Sequence, residues 1–353
     1  MTTAPFRIGV MQLTMEPLEE ILDHARALDR HGFDTIWLAE AYPWWRKHSM
    51  EARSTTALSP LIARETERLT VGWGIISPYA RHPIQVAMEA RVTQEAAGPG
   101  RFRLGFGASK ILMKEIGAGN GRPARPLTAV KESVQIVRAM LAGEEVTYAG
   151  RVFSVQKVKL EYKALRQDLP LLMAARGEQA LTLCGKIADG LMISNMCPPD
   201  FTRQAVDIVR NAAREAGRQP PAQVVDQVVQ YVPCAVRPDR AEAHRLAKET
   251  IGEMLPGFWS LGQRVPAAKS ALLRAGELSQ ADFAAVVDRL RGGEPPTDVL
   301  DERFVDAFAI AGTAEDCLAQ ARRYRAAGTT ELVLTFVGPQ PEQDMGYLAS
   351  ARE

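Results

Sequence analysis

Residues Leu69–Pro83 read LTVGWGIISPYARHP, and they are the most informative part of this chain. The segment begins as a strand of apolar and β-branched residues, but Gly72 and Gly74 interrupt its centre. Because glycine weakens a strand, the pair predicts a bulge or a close approach of the backbone to another group. A neighbouring strand, RFRLGFGASK, carries Gly105 and Gly107 near its end. Two such strands predict a flat ligand across the mouth of a parallel sheet.

The composition is typical of a globular enzyme. Of the 353 residues, 46% are hydrophobic and 24% charged, and 43 Lys and Arg stand against 42 Asp and Glu. A net charge near zero argues against a nucleic acid or an anionic membrane as a partner. The cysteines lack a CxxC spacing, so we predict buried thiols and no metal site. Without a leader segment or a long apolar run, the chain is predicted to be cytoplasmic.

Strands and helices alternate along the chain. Predicted strands lie at 6–13, 35–39, 69–76, 103–107, 170–174, 190–194, 224–236 and 331–336. Predicted helices lie at 17–31, 55–67, 82–97, 127–141, 178–187, 201–216, 241–254 and 314–327. Eight strands with intervening helices are the number of a (β/α)8 TIM barrel.

We therefore predict an α/β fold, a TIM barrel with insertions, in which residues 1–353 form a single domain. One insertion, at about 144–165, alternates like an antiparallel hairpin. In the other, at about 255–311, Pro and Gly separate short helical pieces. A doubly wound open sheet is the alternative architecture.

Several segments together resemble a known family. The chain is similar to the bacterial-luciferase-like superfamily of flavin and deazaflavin barrels, and within it to the coenzyme F420-dependent methylenetetrahydromethanopterin reductase branch. The matching segments follow one another from the first barrel unit to the eighth. They are 16–41 (EPLEEILDHARALDRHGFDTIWLAEA), 72–83 (GWGIISPYARHP), 104–107 (LGFG), 174–190 (AARGEQALTLCGKIADG) and 311–316 (AGTAED), which leads to 328–335.

The resemblance implies where a cofactor binds. In relatives the third strand carries a bulge with a non-proline cis peptide beneath the cofactor ring, which we place at Gly74–Ile75. The loop after the fifth strand contains Arg176 and opens a helix, and a helix N-terminus suits a phosphate group. Otherwise these segments are an ordinary bulged strand and a plain helix start. The full set of implied cofactor contacts is Gly74, Ile75, Ile76, Gly107, Ser109, Ala175, Arg176, Gly177 and Ser194.

Glu40 ends the second strand, on the rim where catalytic residues of such barrels lie. The resemblance implies that Glu40 hydrogen-bonds the cofactor or tunes a protonation during hydride transfer. A surface ion pair with Arg46 or Lys47 is the alternative. Relatives often have a histidine after this acidic residue, whereas this chain has Ala41.

Two further positions depart from the family pattern. Ser109-Lys110 stands where many F420 enzymes have a carboxylate that donates a proton, and Met11 stands where the pterin reductases carry a glutamate. Lys110 becomes the second catalytic candidate, as an acid or as a positive charge beside the reduced cofactor. A solvated loop lysine is the alternative.

Three aromatic residues follow Glu40 within a short loop. Tyr42, Trp44 and Trp45 lie on the rim, where aromatic clusters usually line an apolar or ring-shaped substrate pocket. Packing of an insertion against the barrel is the alternative. Arg81 and His82 follow the third strand and are further candidates for substrate or anion contact. His82 is alternatively a cap for the next helix.

Three classes of function remain open on the sequence. The first is an F420-dependent oxidoreductase that moves a hydride to or from a small organic substrate. The second is a monooxygenase that uses reduced FMN and O2. The third is a non-redox flavin-binding barrel or a lyase that uses Lys110. Relatives commonly pair through helices beside strands two and three, so the resemblance also implies a homo-oligomer, with Val86–Ala97 suited to the contact.

Overall fold

The computed structural model describes residues 6–40, 52–108, 125–162, 169–218 and 226–351. Its strands are β1 (Arg7–Leu13), β2 (Thr35–Ala39), β3 (Thr70–Ile76), β4 (Phe102–Phe106), β5 (Val146–Ala149), β6 (Ser154–Val158), β7 (Leu171–Ala174), β8 (Gly190–Ile193), β9 (Val228–Val236), β10 (Ile310–Gly312) and β11 (Glu331–Phe336). Its helices are α1 (Leu18–Arg30), α2 (Thr55–Glu65), α3 (Pro83–Ala97), α4 (Pro126–Leu141), α5 (Glu178–Ile187), α6 (Pro199–Glu215), α7 (Arg240–Arg264), α8 (Pro266–Leu272), α9 (Gln280–Arg291), α10 (Pro296–Val299), α11 (Glu302–Phe308), α12 (Ala314–Ala326) and α13 (Pro341–Ser350).

Parallel strands close into a barrel. The order is β11-β1-β2-β3-β4-β7-β8-β9, and β9 pairs with both β8 and β11, which closes the ring. The predicted (β/α)8 barrel is confirmed, and the open-sheet alternative is wrong. The short strand β10 adds to β9 in parallel register, with Ile310 opposite Cys234. Sequence patterning did not predict β10, because three residues are too few to show a period.

The helices form where apolar residues recur on one face. In α1, the buried residues Ile21, Leu22, Ala25 and Leu28 repeat at spacings of three and four, so one stripe packs onto the barrel. Gly32 follows with a φ of +71°, which glycine adopts at little cost and which ends the helix. The same alternation of strand and helix carries the chain around the ring.

The apolar core has three parts. The largest lies between the barrel strands and the helices around them. A second cluster fills the barrel interior, where Trp37, Met192 and Tyr231 pack together. A third joins α7, α9 and α11, with Phe283 stacked on Trp259 at 5.5 Å between ring centroids. The four cysteines are buried and unpaired, as predicted.

The two predicted insertions differ in how well the sequence described them. The antiparallel hairpin is confirmed as β5 and β6. The break expected near 255 is wrong, because α7 continues through Pro256 to Arg264. Leu255 and Trp259 are buried on either side of Pro256, so packing outweighs the lost backbone hydrogen bond. Within the described ranges, no helix is long and apolar enough to cross a membrane.

Candidate active site

The third strand carries the predicted bulge. Trp73 lies opposite Leu104 and Ile76 lies opposite Phe106, so Gly74 and Ile75 share a single partner position on β4. The peptide bond between Gly74 and Ile75 is cis, as the resemblance implies. Both residues are partly exposed, whereas the rest of β3 is buried. The bulge therefore lies at the open carboxyl end of the barrel.

Three of the four glycines make room for protein side chains. A Cβ at Gly72 would overlap the Trp37 ring, and a Cβ at Gly74 would overlap the Tyr231 hydroxyl. At Gly105 the obstacles would be the Met192 sulfur and, at 2.7 Å, the carbonyl oxygen of Trp73. These glycines therefore accommodate the barrel interior and do not by themselves indicate a ligand.

Above the buried interior lies a mostly apolar surface, which we call the floor and define as the partly exposed Met11, Ile75, Ala174 and Thr335 together with the buried Gly107. Met11, Ile75 and Ala174 pack on the buried interior cluster but remain partly exposed. A Cβ at Gly107 would lie 3.0 Å from Ile75 Cδ1, so glycine keeps the surface low there. Such an apolar surface of mostly small side chains suits a flat ring.

Glu40 follows β2, at the same carboxyl end of the barrel as the floor, and is paired with Arg81. Arg81 Nη2 is 3.0 Å from Glu40 Oε1 and also donates to Ser54 Oγ at 3.2 Å. The Glu40 side chain is only 11% exposed. Burial raises the pKa of the Glu40 carboxyl, although Arg81 opposes the change. Glu40 Oε2 is buried and has no hydrogen-bond partner in the described part of the chain.

Arg176 follows β7, also at the carboxyl end of the barrel. Its Nη2 atom donates to Ser194 Oγ at 2.7 Å and to the carbonyl oxygen of Asn195 at 2.6 Å. The guanidinium lies 4.8 Å from the centroid of the Phe258 ring on α7. Arg176 therefore ties together the loops after β7 and β8, which the sequence did not reveal.

The helix that begins beside Arg176 has no side-chain cap at its N-terminus. Gly177 is the N-cap residue of α5, and it supplies no side-chain acceptor for the first amides of the helix. Ala175, which precedes Arg176, donates its own amide to the carbonyl of Met192 at 3.2 Å. Amides at a helix N-terminus without a side-chain cap, next to a guanidinium, are the combination that the phosphate prediction requires.

His82 has the capping role that the sequence allowed as an alternative. It is the N-cap of α3, and its Nδ1 accepts a hydrogen bond from the Ile84 amide at 3.3 Å. The ring also packs edge-on against Phe153, with centroids 5.4 Å apart. His82 thus links the start of α3 to the hairpin, and the structure gives no separate indication that it contacts a substrate.

Tyr231 and Glu89 were not singled out from the sequence. Tyr231 lies beneath the bulge, and burial, with Glu331 nearby, raises the pKa of its hydroxyl well above the ordinary value. That hydroxyl has no hydrogen-bond partner among the described residues. Glu89 on α3 approaches Arg81, with Oε1 3.6 Å from Nη1. Tyr231 lies within a strand and Glu89 within a helix, and their sequence patterns are ordinary for those elements. Only the fold shows that they lie near the site.

Some predicted site residues lie outside the described ranges. They are the catalytic candidate Lys110, the cofactor contact Ser109 and the substrate contacts Tyr42, Trp44 and Trp45. Their roles stay predictions.

Comparison with known proteins gives consistent results. A model of the luciferase-like monooxygenase family matches residues 1–331. The chain is 29% identical over 340 residues to the 5,10-methylenetetrahydromethanopterin reductase of Methanolobus tindarius, covering 95% of this chain and 96% of that protein. It is 28% identical over 224 residues to the F420-dependent glucose-6-phosphate dehydrogenase of Nakamurella multipartita, covering 62% and 65% of the two chains.

Among solved structures, the coenzyme F420-dependent tetrahydromethanopterin reductase of Methanopyrus kandleri matches with a TM-score of 0.81, 22% identity and 98% coverage of both chains. At this identity the likeness shows that the fold is shared.

Proposed function

The chain belongs to the luciferase-like monooxygenase family, and we propose that within it the chain is a coenzyme F420-dependent oxidoreductase acting on a small organic substrate. The relatives named above include F420-dependent reductases and dehydrogenases, which supports this choice of cofactor. The structural observation that carries the proposal is Glu40 Oε2, a buried oxygen with no hydrogen-bond partner among the described residues, at the same end of the barrel as the floor.

The described residues fit a deazaflavin. The floor is apolar and low enough for a planar ring, because Gly107 leaves the surface above Ile75 free of a Cβ. Across the barrel mouth, Arg176 and the first amides of α5 offer positive charge and hydrogen-bond donors to a phosphate. Buried polar atoms are normally paired in folded proteins, so the free Glu40 oxygen suits a bound partner.

When bound, the deazaflavin supplies or accepts the hydride. The side chains of the floor would exclude water from one face of the ring and hold it in place. Arg176 and the amides of α5 would fix the phosphate. Glu40 Oε2, which has no hydrogen-bond partner among the described residues, would accept a hydrogen bond from the ligand, while Arg81 holds Oε1 in place.

A titration with the two candidate cofactors tests the proposal. Coenzyme F420 and FMN are added separately to the purified protein, and binding is followed by fluorescence and absorbance. We expect F420 to bind at least tenfold more tightly than FMN. Tighter FMN binding, with O2 consumption by the reduced complex, would favour the monooxygenase instead. A protein that binds neither would contradict both redox functions.

The substrate is best approached through the compounds on which the relatives act. The panel contains methylenetetrahydromethanopterin and glucose 6-phosphate, each assayed by the absorbance change of F420. Met11 stands where the resemblance implies a glutamate in the pterin reductases, and in this structure it is an apolar floor residue. We therefore expect weak activity with the pterin, and strong pterin reduction would show that Met11 does not limit the reaction.

We also propose a homo-oligomer that associates through α2 and α3. Leu61 on α2 and Met88 and Val92 on α3 are large apolar side chains, exposed by 45%, 50% and 52%. Met88 and Val92 lie four residues apart and so share one helix face. Sedimentation analysis of the wild type and of Met88→Lys tests this. We expect a dimer or larger assembly that dissociates in the variant, and a monomeric wild type would contradict the proposal.

A further inference from the structure

Glu89 contacts the same arginine as Glu40. Arg81 extends Nη2 to Glu40 Oε1 at 3.0 Å and Nη1 towards Glu89 Oε1 at 3.6 Å. Glu89 lies in the second turn of α3, and its side chain is 33% exposed, against 11% for Glu40. The guanidinium is therefore divided between two carboxylates from different elements.

This division leaves hydrogen-bonding capacity unused on both sides. Within the described ranges, Glu40 Oε2, Glu89 Oε2 and Arg81 Nε are all buried without a hydrogen-bond partner. An undivided arginine–carboxylate pair is commonly bidentate, with two parallel hydrogen bonds that satisfy both oxygens. Here Ser54 Oγ accepts a further hydrogen bond from Nη2, which also draws Arg81 away from that geometry.

The charges around Glu40 are few. Among the described residues, those that act on its carboxyl are Arg81 from the loop before α3 and Glu89 from α3 itself, together with the backbone amide of Ser77. Arg81 and the amide stabilise the carboxylate, whereas Glu89 destabilises it by like-charge repulsion. One positive charge thus faces two negative ones.

We propose that Glu89 is a positioning residue that competes with Glu40 for Arg81 and so keeps Glu40 Oε2 unpaired and available to a ligand on the floor. The inference rests on the proposed function for its purpose, since it assigns Glu40 Oε2 to the bound ring or substrate. It does not require Glu89 itself to touch either of them.

Removing the charge at position 89 should change the state of Glu40. In Glu89→Gln, Arg81 is free to turn both Nη atoms towards Glu40, and the repulsion from Glu89 is gone. The Glu40 carboxyl should then titrate at a lower pH than in the wild type. Glu89→Asp keeps the charge and should largely restore the wild-type titration. Glu95→Gln, at an exposed position on the same helix, is the matched control.

The test is an NMR titration of unliganded protein labelled with carboxyl-13C glutamate, with the Glu40 signal assigned by its loss in Glu40→Gln. We expect a lower titration midpoint for Glu40 in Glu89→Gln, a wild-type midpoint in Glu95→Gln and a near-wild-type midpoint in Glu89→Asp. A Glu40 midpoint that is the same in Glu89→Gln and the wild type would overturn the proposal. If the shifted midpoint in Glu89→Gln came from a general disturbance of the structure, Glu89→Asp would not restore the wild-type midpoint.

A parallel F420 titration of the same variants measures the effect on the ligand. We expect Glu89→Gln to bind F420 about threefold or more weakly, because Arg81 can then pair with both oxygens of Glu40 and leave Oε2 less available to the ligand. If the wild type fails to bind F420, the proposed function is wrong, whereas the NMR result still decides the role of Glu89. The two failures are therefore distinguishable.

Discussion

The two ends of the barrel interior treat their polar groups differently. At the amino end, Glu331 is fully buried, and both of its carboxylate oxygens are paired: Trp37 Nε1 donates to Oε1 at 2.7 Å and Arg103 Nη1 lies 2.5 Å from Oε2. Arg7 adds hydrogen bonds to Thr35 and Thr70 at the start of β2 and β3. At the carboxyl end, buried atoms of Glu40, Tyr231 and Asn195 have no partner within the described ranges.

The difference agrees with the proposed function, in which the amino end stabilises the fold and the carboxyl end holds the ligand. Buried polar groups are normally hydrogen-bonded, so the paired amino end is expected to contribute to stability, and the unpaired atoms of the carboxyl end are the ones that a ligand would contact. TIM barrels commonly separate the two roles in this way, with active sites at the carboxyl face. Substitutions at the amino end are therefore expected to lower stability, whereas substitutions at the carboxyl end are expected to lower ligand affinity.

The largest expected effect is at the amino end. Glu331→Ala removes the buried carboxylate that pairs with Arg103 and accepts the hydrogen bond from Trp37, so we expect the free energy of unfolding to fall by about 3–5 kcal/mol. Urea denaturation measures this, with Glu253→Ala at an exposed position of α7 as the control, expected within about 0.5 kcal/mol of the wild type. Equal stability of the two variants would show that the charge cluster is not a stabilising element.

The next effect concerns the wall of the barrel. Gly72→Ala would drive a Cβ into the rigid Trp37 ring, and we expect a loss of about 1–3 kcal/mol. Gly257→Ala, on α7 with no atom within 4 Å of the added Cβ, should instead be neutral or stabilise by about 0.5–1 kcal/mol. Thermal unfolding of both variants tests this contrast, which fails if Gly72→Ala is as stable as Gly257→Ala.

The same glycines show how far the sequence could be interpreted. The pair Gly72 and Gly74 correctly predicted a bulge and a close approach, since glycine is the residue that permits both. It could not show that the approaching group at Gly72 is Trp37, because that contact depends on the packing of β2 against β3 inside the closed barrel. The sequence likewise did not indicate the buried ion pair of Glu331, since its partner Arg103 is 228 positions away.

A smaller effect is expected at the hairpin beside the mouth. Glu132 accepts hydrogen bonds from the backbone amides of Arg151, Val152 and Phe153 at 2.7, 2.9 and 2.8 Å. Although burial opposes ionisation, these amides lower the pKa of Glu132. The lowered pKa means that the carboxylate stabilises the fold above the pKa of an unfolded glutamate. That stabilisation is lost as the pH falls through the folded-state pKa.

Glu132→Gln should lower the free energy of unfolding by roughly 1–2 kcal/mol near neutral pH. As the pH falls, the variant should lose less stability than the wild type. Hydrogen exchange of the three amides, measured in the wild type and the variant across this pH range, gives the local effect directly. Gln135 on the same helix, which only accepts a bond from the exposed Tyr148 hydroxyl, supplies the control Gln135→Ala. If the three amides exchange as slowly in Glu132→Gln as in the wild type, Glu132 does not stabilise the hairpin in this way.

The smallest effect on stability is expected at the carboxyl end. Because burial raises the pKa of Glu40, ionising it opposes folding, and its contribution decreases as the pH rises from the unfolded-state pKa to the folded-state pKa. Glu40→Gln, which cannot ionise, should therefore be at least as stable as the wild type above that window. We expect F420 affinity to fall by about tenfold, the effect of one lost hydrogen bond of about 1.4 kcal/mol.

The two ends of the barrel are compared most directly when stability and F420 affinity are measured on the same preparation of each variant. Glu331→Ala should lose stability and Glu40→Gln should lose affinity. A Glu40→Gln protein that unfolds early but binds F420 normally would mean that Glu40 is a structural residue paired with Arg81.

The site was harder to predict than the fold, for physical reasons. Glu40, Arg81 and Arg176 were found because they lie in segments that follow strands, since parallel strands bring their carboxyl ends to one face, and because the family resemblance pointed to these segments. Their partners were not found, because Glu89 lies within a helix and Tyr231 within a strand, where neither spacing nor composition distinguishes them. Arg81 forms ion pairs with both Glu40 and Glu89. This arrangement depends on side-chain geometry, which no sequence pattern predicts.

A crystal structure of the complex with F420 tests the central claim most directly. We predict the ring on the floor over Gly74–Ile75, an edge of the ring within hydrogen-bonding distance of Glu40 Oε2, and the phosphate beside Arg176 and the first turn of α5. Electron density for the cofactor away from the carboxyl end of the barrel, with Glu40 Oε2 still unpaired, would contradict the account.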